Sequence, residues 1–202
     1  MFSGIVEMVA KLSSSDASRS PRRLCFDTQV DLRQRLSIGQ SVAVDGVCLT
    51  VVEIDSQHFC VEASEQTLSC TTLKELAIGD AVNLEPALAA SGCFDGHLVS
   101  GHIDGVGTII RIVDENHTQW WHIEVAEDMI KYIAPKGSVC VNGTSLVSHK
   151  VVDNVFYVNL IPHTLKVTSF ADKKVGDHVN IEVDLIARYI ERLLEVRTER
   201  QK

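Results

Sequence analysis

The chain has 202 residues, room for one large domain or two of about 100 residues each. Its formal net charge is −8, only 5% of it is aromatic and its Lys and Arg are scattered, which excludes a nucleic-acid surface built on a basic stripe. No apolar run approaches the roughly 18–20 residues of a membrane span. The opening "MFSGIVEMVAKL" has no basic start and carries Glu7 inside its apolar stretch, unlike a signal peptide. The six cysteines, Cys25, Cys48, Cys60, Cys70, Cys93 and Cys140, contain no C-x-x-C pair, and a chain this long needs no disulfide staples. The expectation is reduced thiols in a cytoplasmic protein, most of them packed as small apolar residues.

In chain order, "VDLRQRL" (30–36) reads as a short helix. "SVAVDGVCLTVVEI" (41–54) alternates, turns at Asp45-Gly46 and resumes, a hairpin signal. "HFCVEA" (58–63) and "AVNLEPA" (81–87) read as strands, the second introduced by the tight "IGD" turn. "LAASGCFDGH" (88–97) has the small-residue content of a linker. "EDMIKYI" (127–133) reads as helix, and "GSVCVNGTSLVSHKVV" (137–152) is a second hairpin around Asn142-Gly143. "FYVNLI" (156–161) and "HVNIEVD" (178–184) are further strands. Many short strands with regular turns in each half predict closed or nearly closed barrels. The last segment, "LIARYIERLLEVRTERQK", is helical, with an apolar seam at Ile186, Tyr189, Leu193 and Val196. That helix either docks on its own barrel or joins subunits; two heptads alone are marginal, so an oligomer needs barrel contacts too.

The two halves are copies at a constant offset of 97 residues, which places Gly4 over Gly101, Gly46 over Gly143, Thr67 over Thr164, Gly79 over Gly176 and Asn83 over Asn180. A period that long is a domain duplication, not a solenoid repeat of about 20–50 residues. The expected organisation is a barrel over 1–97, a barrel over 98–186 and a helix over 187–202. Shape-determining residues are shared between the copies and reactive ones are not. Ile5 aligns with His102, Cys48 with Ser145, Thr50 with Val147, Glu62 with Asn159, Ser64 with Ile161, Gln66 with His163, and Ala87 with Asp184. Two similar pockets with different chemical duties explain this; drift after duplication is the plainer account.

The stretch "DGHLVSGHIDGVG" (95–107) holds His97 and His102. No further Cys or His pair stands at ligand spacing, so a metal site is not expected. The glycines lead into a β-branched run, not a helix, so a phosphate loop is excluded. A Cys48–His102 pair for nucleophilic catalysis stays open beside the reading of a buried core thiol and a structural histidine. Asp184 is either reactive or the cap of the terminal helix.

At these residues the sequence resembles the riboflavin synthase family, enzymes of two lumazine-binding barrels. The motifs are "MFSGIVE", "VDGVCLTV", "GHLVSGHIDG", "KYIAPKGSVCVNGTSL", "LIPHTL" and "VNIEVD", in this order from Met1 to about Asp184. The resemblance implies an all-β fold of two tandem six-stranded Greek-key β-barrels with a C-terminal α-helix. It implies a homotrimer with sites between subunits, two lumazine molecules per site, no cofactor and no metal. Lumazine synthase is a further partner to expect, and neither nucleic acid nor membrane is.

By matching motifs, the resemblance assigns substrate contacts to Gly4, Ile5 and Val6, to Cys48, Leu49 and Thr50, and to the strand segment Glu62, Ala63, Ser64, Glu65, Gln66 and Thr67. In the second copy it assigns Gly101, His102 and Ile103, then Lys136, then Ser145, Leu146 and Val147. The last segment is Ile161, Pro162, His163, Thr164, Leu165 and Lys166, read as strand. Chemistry is expected from Cys48, His102, Ser41 and Asp184, with His102 the proton carrier because an unperturbed imidazole titrates near neutrality. The family's "SLT" is "SLV" here at Val147, and its "ETL" is "QTL" at Gln66 and "HTL" at His163. A non-catalytic lumazine- or flavin-binding protein is the alternative. A flavin-dependent oxidoreductase would add an α/β nucleotide domain, and no βαβ pattern supplies one.

Overall fold

The computed structural model describes residues 1–199, of which the first copy supplies β1 (Met8–Asp16), β2 (Arg22–Asp27), β3 (Ser41–Val44), β4 (Val47–Ile54), β5 (His58–Ala63), helix α1 (Glu65–Ser69) and β6 (Ala81–Pro86). These strands close into a barrel in the order β1-β2-β5-β4-β3-β6. The second copy supplies β7 (Gly105–Glu115), β8 (Thr118–Glu124), α2 (Glu127–Ile130), β9 (Ser138–Val141), β10 (Thr144–Val147), β11 (Lys150–Val152), β12 (Val155–Leu160), α3 (Pro162–Val167) and β13 (His178–Val183). Helix α4 (Leu185–Glu199) follows; residues 200–202 of the expected helix lie outside the described residues.

Both predicted hairpins form. Asp45 and Gly46 have φ of 44° and 81°, Asn142 and Gly143 of 42° and 76°, the double left-handed turn that matches strand twist. Along β4, Val47, Leu49 and Val51 turn inward while Thr50 is exposed. Each barrel has its own core. Leu24, Phe26, Phe59 and Val61 fill the first, Trp121, Ile123, Phe156 and Val158 the second, all with no solvent exposure.

Three expectations need correction, and the second barrel differs from the first in one respect. Residues 30–36 form a turn rather than a helix, with the Leu32 carbonyl accepting from Arg35 and Leu36 N–H. The second barrel is not closed by hydrogen bonds as the first is: its sheet runs β10-β9-β13-β7-β8-β12-β11. The stretch aligned with β4 is split there into β10 and β11, and the ladder lapses at Ser148, which aligns with Val51. The segments read as continuing strands after Glu62 and Ile161 turn into short helices. Ser64 caps α1 by accepting from Thr67 N–H at 3.1 Å, and Pro162 stands at the start of α3, where its fixed φ suits a first helical turn. Finally, Cys25 and Cys60 form a disulfide, because they face each other across β2 and β5, a pairing that their separation of 35 residues does not advertise. Cys48, Cys70, Cys93 and Cys140 are free.

The two copies meet about an approximate two-fold axis, along a buried polar seam. Asn83 Nδ2 donates to the Asn142 carbonyl and Asn180 Nδ2 to the Asp45 carbonyl, both at 2.9 Å. The side-chain oxygens accept in the same reciprocal way: Asn83 Oδ1 from Ser169 N–H at 2.7 Å, Asn180 Oδ1 from Thr72 N–H at 2.8 Å. Gly46 and Gly143 lie back to back, so that a Cβ on Gly46 would come within 2.7 Å of the Gly143 nitrogen. Phe2 and Val99 pair as a single antiparallel bridge beside this seam.

One acid sits in the seam. Asp45 is 1% exposed, and its Oδ1 accepts from Asn83 N–H at 2.8 Å, as Asn142 Oδ1 accepts from Asn180 N–H at 2.6 Å. Burial pushes the Asp45 carboxyl up from 3.8 to about 7. Its folded-state pKa thus exceeds its unfolded one, so this stabilisation is full below about pH 4 and is lost as pH rises through about 7. Asp45→Asn, which copies the second half, is expected to raise the melting temperature at pH 8 by about 5 °C or more and to change it little at pH 4. Thermal unfolding followed at both pH values checks this; an equal shift at both removes the titration account.

Candidate active site

Each copy opens on a Ser-Gly turn that its own buried glutamate ties down. Ser3 N–H, Ser3 Oγ and Gly4 N–H donate to the Glu85 carboxylate at 2.7, 2.9 and 3.0 Å. Ser100 N–H, Ser100 Oγ and Gly101 N–H donate to Glu182 at 2.7, 2.6 and 2.8 Å. Burial pushes the Glu85 carboxyl up, and the Ser3 and Gly4 bonds oppose that. Each turn then reaches across the seam. The Gly4 carbonyl accepts from Ser145 N–H at 2.7 Å, and the Gly101 carbonyl from Cys48 N–H at 2.9 Å. A Cβ at Gly101 would stand 2.5 Å from Cys48 Cβ, and its φ is 82°, so the crossing requires glycine there.

The structure therefore sorts the predicted residues into two mixed groups. In the first, Cys48 is half-buried on β4, with Thr50 exposed opposite Ser41. Leu49 turns inward to the core. Gly101 brings His102 and Ile103 to this hairpin from the other copy: Ile103 packs on the first barrel's core and His102 is exposed. Arg188 Nη2 donates to the His102 carbonyl and to Asp104 Oδ2, both at 2.6 Å, which fixes the turn from helix α4. At the end of β5 and into α1, Glu62 is half-buried, Ala63 is buried, Glu65 and Gln66 are exposed, and the Ser64 and Thr67 hydroxyls bond at 3.0 Å.

In the second group Gly4 brings Ile5 and Val6 to the Ser145 hairpin, Ile5 being 43% exposed. Leu146 packs on the second core, Val147 is exposed, and Ser145 faces Cys140 across the hairpin. Lys136 has a φ of 70° and its N–H bonds the Ser148 carbonyl at 2.6 Å, which places it at the entrance to β9. Ile161, Pro162, His163 and Lys166 are exposed at the start and along α3, with Thr164 and Leu165 half-buried. Asp184 Oδ1 accepts from Ile186 N–H at 2.9 Å and so caps α4, the plainer of its two expected roles.

One residue escaped the sequence reading. His97 is not merely the end of a linker: its Nδ1 lies 2.6 Å from Ser145 Oγ. Burial lowers its pKa, while the nearby Asp184 and Glu182 charges pull the other way. Its aligned position in the first copy would fall before Met1, so comparison of the copies could not flag it. The second group thus holds a His97–Ser145 contact with the Asp184 charge near it, where the first has the thiol of Cys48 and the exposed His102.

The Lumazine binding domain profile matches the chain twice, over residues 3–87 and 100–184. The riboflavin synthase of Actinobacillus pleuropneumoniae is 40% identical over 194 residues, 96% of this chain and 90% of that protein. The riboflavin synthase of Bacillus subtilis (strain 168) is 36% identical over 199 residues, covering 98% and 92%. Among solved structures, LumP complexed with riboflavin superposes with a TM-score of 0.83 at 27% identity, over 91% of this chain and 99% of that one. With both halves matched and near-complete coverage of curated relatives, the chain belongs to the riboflavin synthase family.

Proposed function

We propose that the chain catalyses the dismutation of two molecules of 6,7-dimethyl-8-ribityllumazine. One donates the four-carbon unit made of C6, C7 and their methyl groups, leaving 5-amino-6-(D-ribitylamino)uracil. The other accepts it and becomes riboflavin. The observation that carries this reading is the match to riboflavin synthases along nearly the whole chain. The crossed turns support it: two copies of one substrate need two similar pockets, and donor and acceptor need unlike ones.

The two pockets are Cys48, Leu49, Thr50, the Glu62–Thr67 segment and Ser41 with Gly101, His102 and Ile103, and Ser145, Leu146, Val147, Lys136 and the 161–166 segment with Gly4, Ile5 and Val6. Holding two rings face to face supplies most of the rate. Proton transfer at the acidic C7 methyl group supplies the rest, and His102 is the group suited to it. Cys48 and Ser41 line the pocket of the activated ring, and Asp184 acts on His97 through its charge. The reaction calls for no cofactor and no metal.

Helix α4 leaves Ile186, Tyr189, Ile190 and Leu193 between 52% and 71% exposed. It is tied to its own barrel instead by polar contacts: Arg188 to Asp104, and Glu191 to Lys131 and Tyr132. An exposed apolar stripe of this kind supports association of subunits through the helix, as a homotrimer with sites between neighbours. The domains are then a barrel over 1–97, a barrel over 98–186 and an oligomerisation segment over 187–202. The compartment is the cytoplasm, where lumazine synthase would supply the substrate.

Incubation with the lumazine alone is expected to yield riboflavin and the pyrimidine in equal amounts between pH 6 and 8. Tight binding without product would establish the non-catalytic reading. His102→Ala is expected to lower kcat at least about 100-fold. His97→Ala should act less on kcat and more on KM; equal loss of kcat in both variants contradicts the assignment. Leu193→Glu is expected to reduce the mass in solution, by light scattering, to the 22.2 kDa of one chain. An unchanged mass rules out the helix as the joint.

A further inference from the structure

On the outer face of the first barrel, β2 and β5 bring four reactive side chains into one patch. Leu24, Phe26, Phe59 and Val61 point into the core, so their neighbours Cys25, Asp27, His58 and Cys60 share the opposite face. Cys25 is the register partner of Cys60, and Asp27 of His58. His58 Nδ1 lies 2.6 Å from Asp27 Oδ1 and its Nε2 3.4 Å from Cys60 Sγ. The two sulfurs and one ring nitrogen all lie within 4.8 Å of one another.

The duplication shows that the fold does not require these residues. The aligned positions of the second copy are His122, Glu124, Val155 and Tyr157, where the His122 and Tyr157 rings pack with centroids 4.2 Å apart and no thiol is present. The first copy thus carries a chemical set that its twin replaces by packing.

Two thiolates and an imidazole are the donor set of a tetrahedral zinc-type site. The carboxylate on the far ring nitrogen is what such a histidine takes as its outer partner, since it turns the Nε2 lone pair toward the sulfurs. In the disulfide each sulfur is bonded to the other and neither can act as a thiolate ligand. We propose that Cys25, His58 and Cys60 form, when the pair is reduced, a site for one thiophilic divalent cation, with water in the fourth position, and that disulfide formation expels it. Reduction by a small dithiol moves two electrons and two protons onto the sulfurs and leaves the dithiol as its own disulfide. Binding of the cation then releases both thiol protons to solvent. The nearby Arg23 does not oppose the cation with a bare charge, because it is paired with Glu53. The His58 side chain is 37% exposed and gives the cation a way in. This site runs counter to the expectation from spacing, because Cys25 meets His58 and Cys60 only across strands.

The test uses the full-length protein, reduced with a dithiol, freed of it under argon and titrated with Co(II). One equivalent should bind, with a thiolate-to-cobalt charge-transfer band in the near ultraviolet and the intense visible bands of tetrahedral cobalt. Zinc should displace it. The oxidised protein should give no band, Cys25→Ser and Cys60→Ser should each abolish it, and Cys48→Ser should keep it. Asp27→Asn should weaken binding about 10- to 100-fold while leaving the thiolate band in place at saturation. Absence of the band in the reduced wild type overturns the site, and that result needs no variant to fold. A band that survives in the Cys25→Ser/Cys60→Ser double variant, or in the oxidised protein, overturns it equally.

Discussion

The arrangement depends on one constraint: two buried asparagines, Asn83 and Asn180, must each find partners on the opposite copy. Two apolar barrel faces could slide over one another at little cost. Four reciprocal amide bonds and two glycines packed back to back leave one register. Each bond contributes about 0.5–1.5 kcal/mol net, but a slip would strand buried donors and acceptors at about 1–3 kcal/mol apiece. The seam is thus a device for position more than for strength. It accounts for the identities of Gly46 with Gly143 and Asn83 with Asn180 that mark the duplication.

What the seam positions are the Ser-Gly turns. Glu85 and Glu182 hold them by the same three bonds, and each turn then reaches the other copy's hairpin. The scaffold is symmetric and the side chains it presents are not. Cys48 meets the Gly101-His102 turn, while Ser145 meets Gly4-Ile5 and is bonded by His97. A reaction that takes two identical molecules and treats them differently fits such a design: the backbone repeats because the substrate repeats, and the polar groups diverge because the roles do.

Much of this was legible in the sequence, for local reasons. The Asp45-Gly46 and Asn142-Gly143 hairpins follow from turn chemistry, the terminal helix from its apolar seam, and the duplication from one constant offset. Short irregular pieces were not legible. The i, i+4 pair Leu32 and Leu36 suits a helix, yet only one turn forms there. The strand readings across Ser64 and Pro162 ran past the residues that start α1 and α3. Contact between copies was also beyond reach, since aligning two repeats shows which residues are alike and not which ones touch. Hence the crossing of the turns, the place of His97 and the meeting of Cys25, His58 and Cys60 became visible only in three dimensions.

The central claim is that each pocket is assembled from both copies. A crystal structure with a non-reactive lumazine analogue tests it most directly. The account predicts one analogue held between the Cys48 hairpin and the Gly101–Ile103 turn, and a second between the Ser145 hairpin and the Gly4–Val6 turn. An analogue held by a hairpin and a turn of the same copy, Cys48 with Gly4 or Ser145 with Gly101, would contradict it.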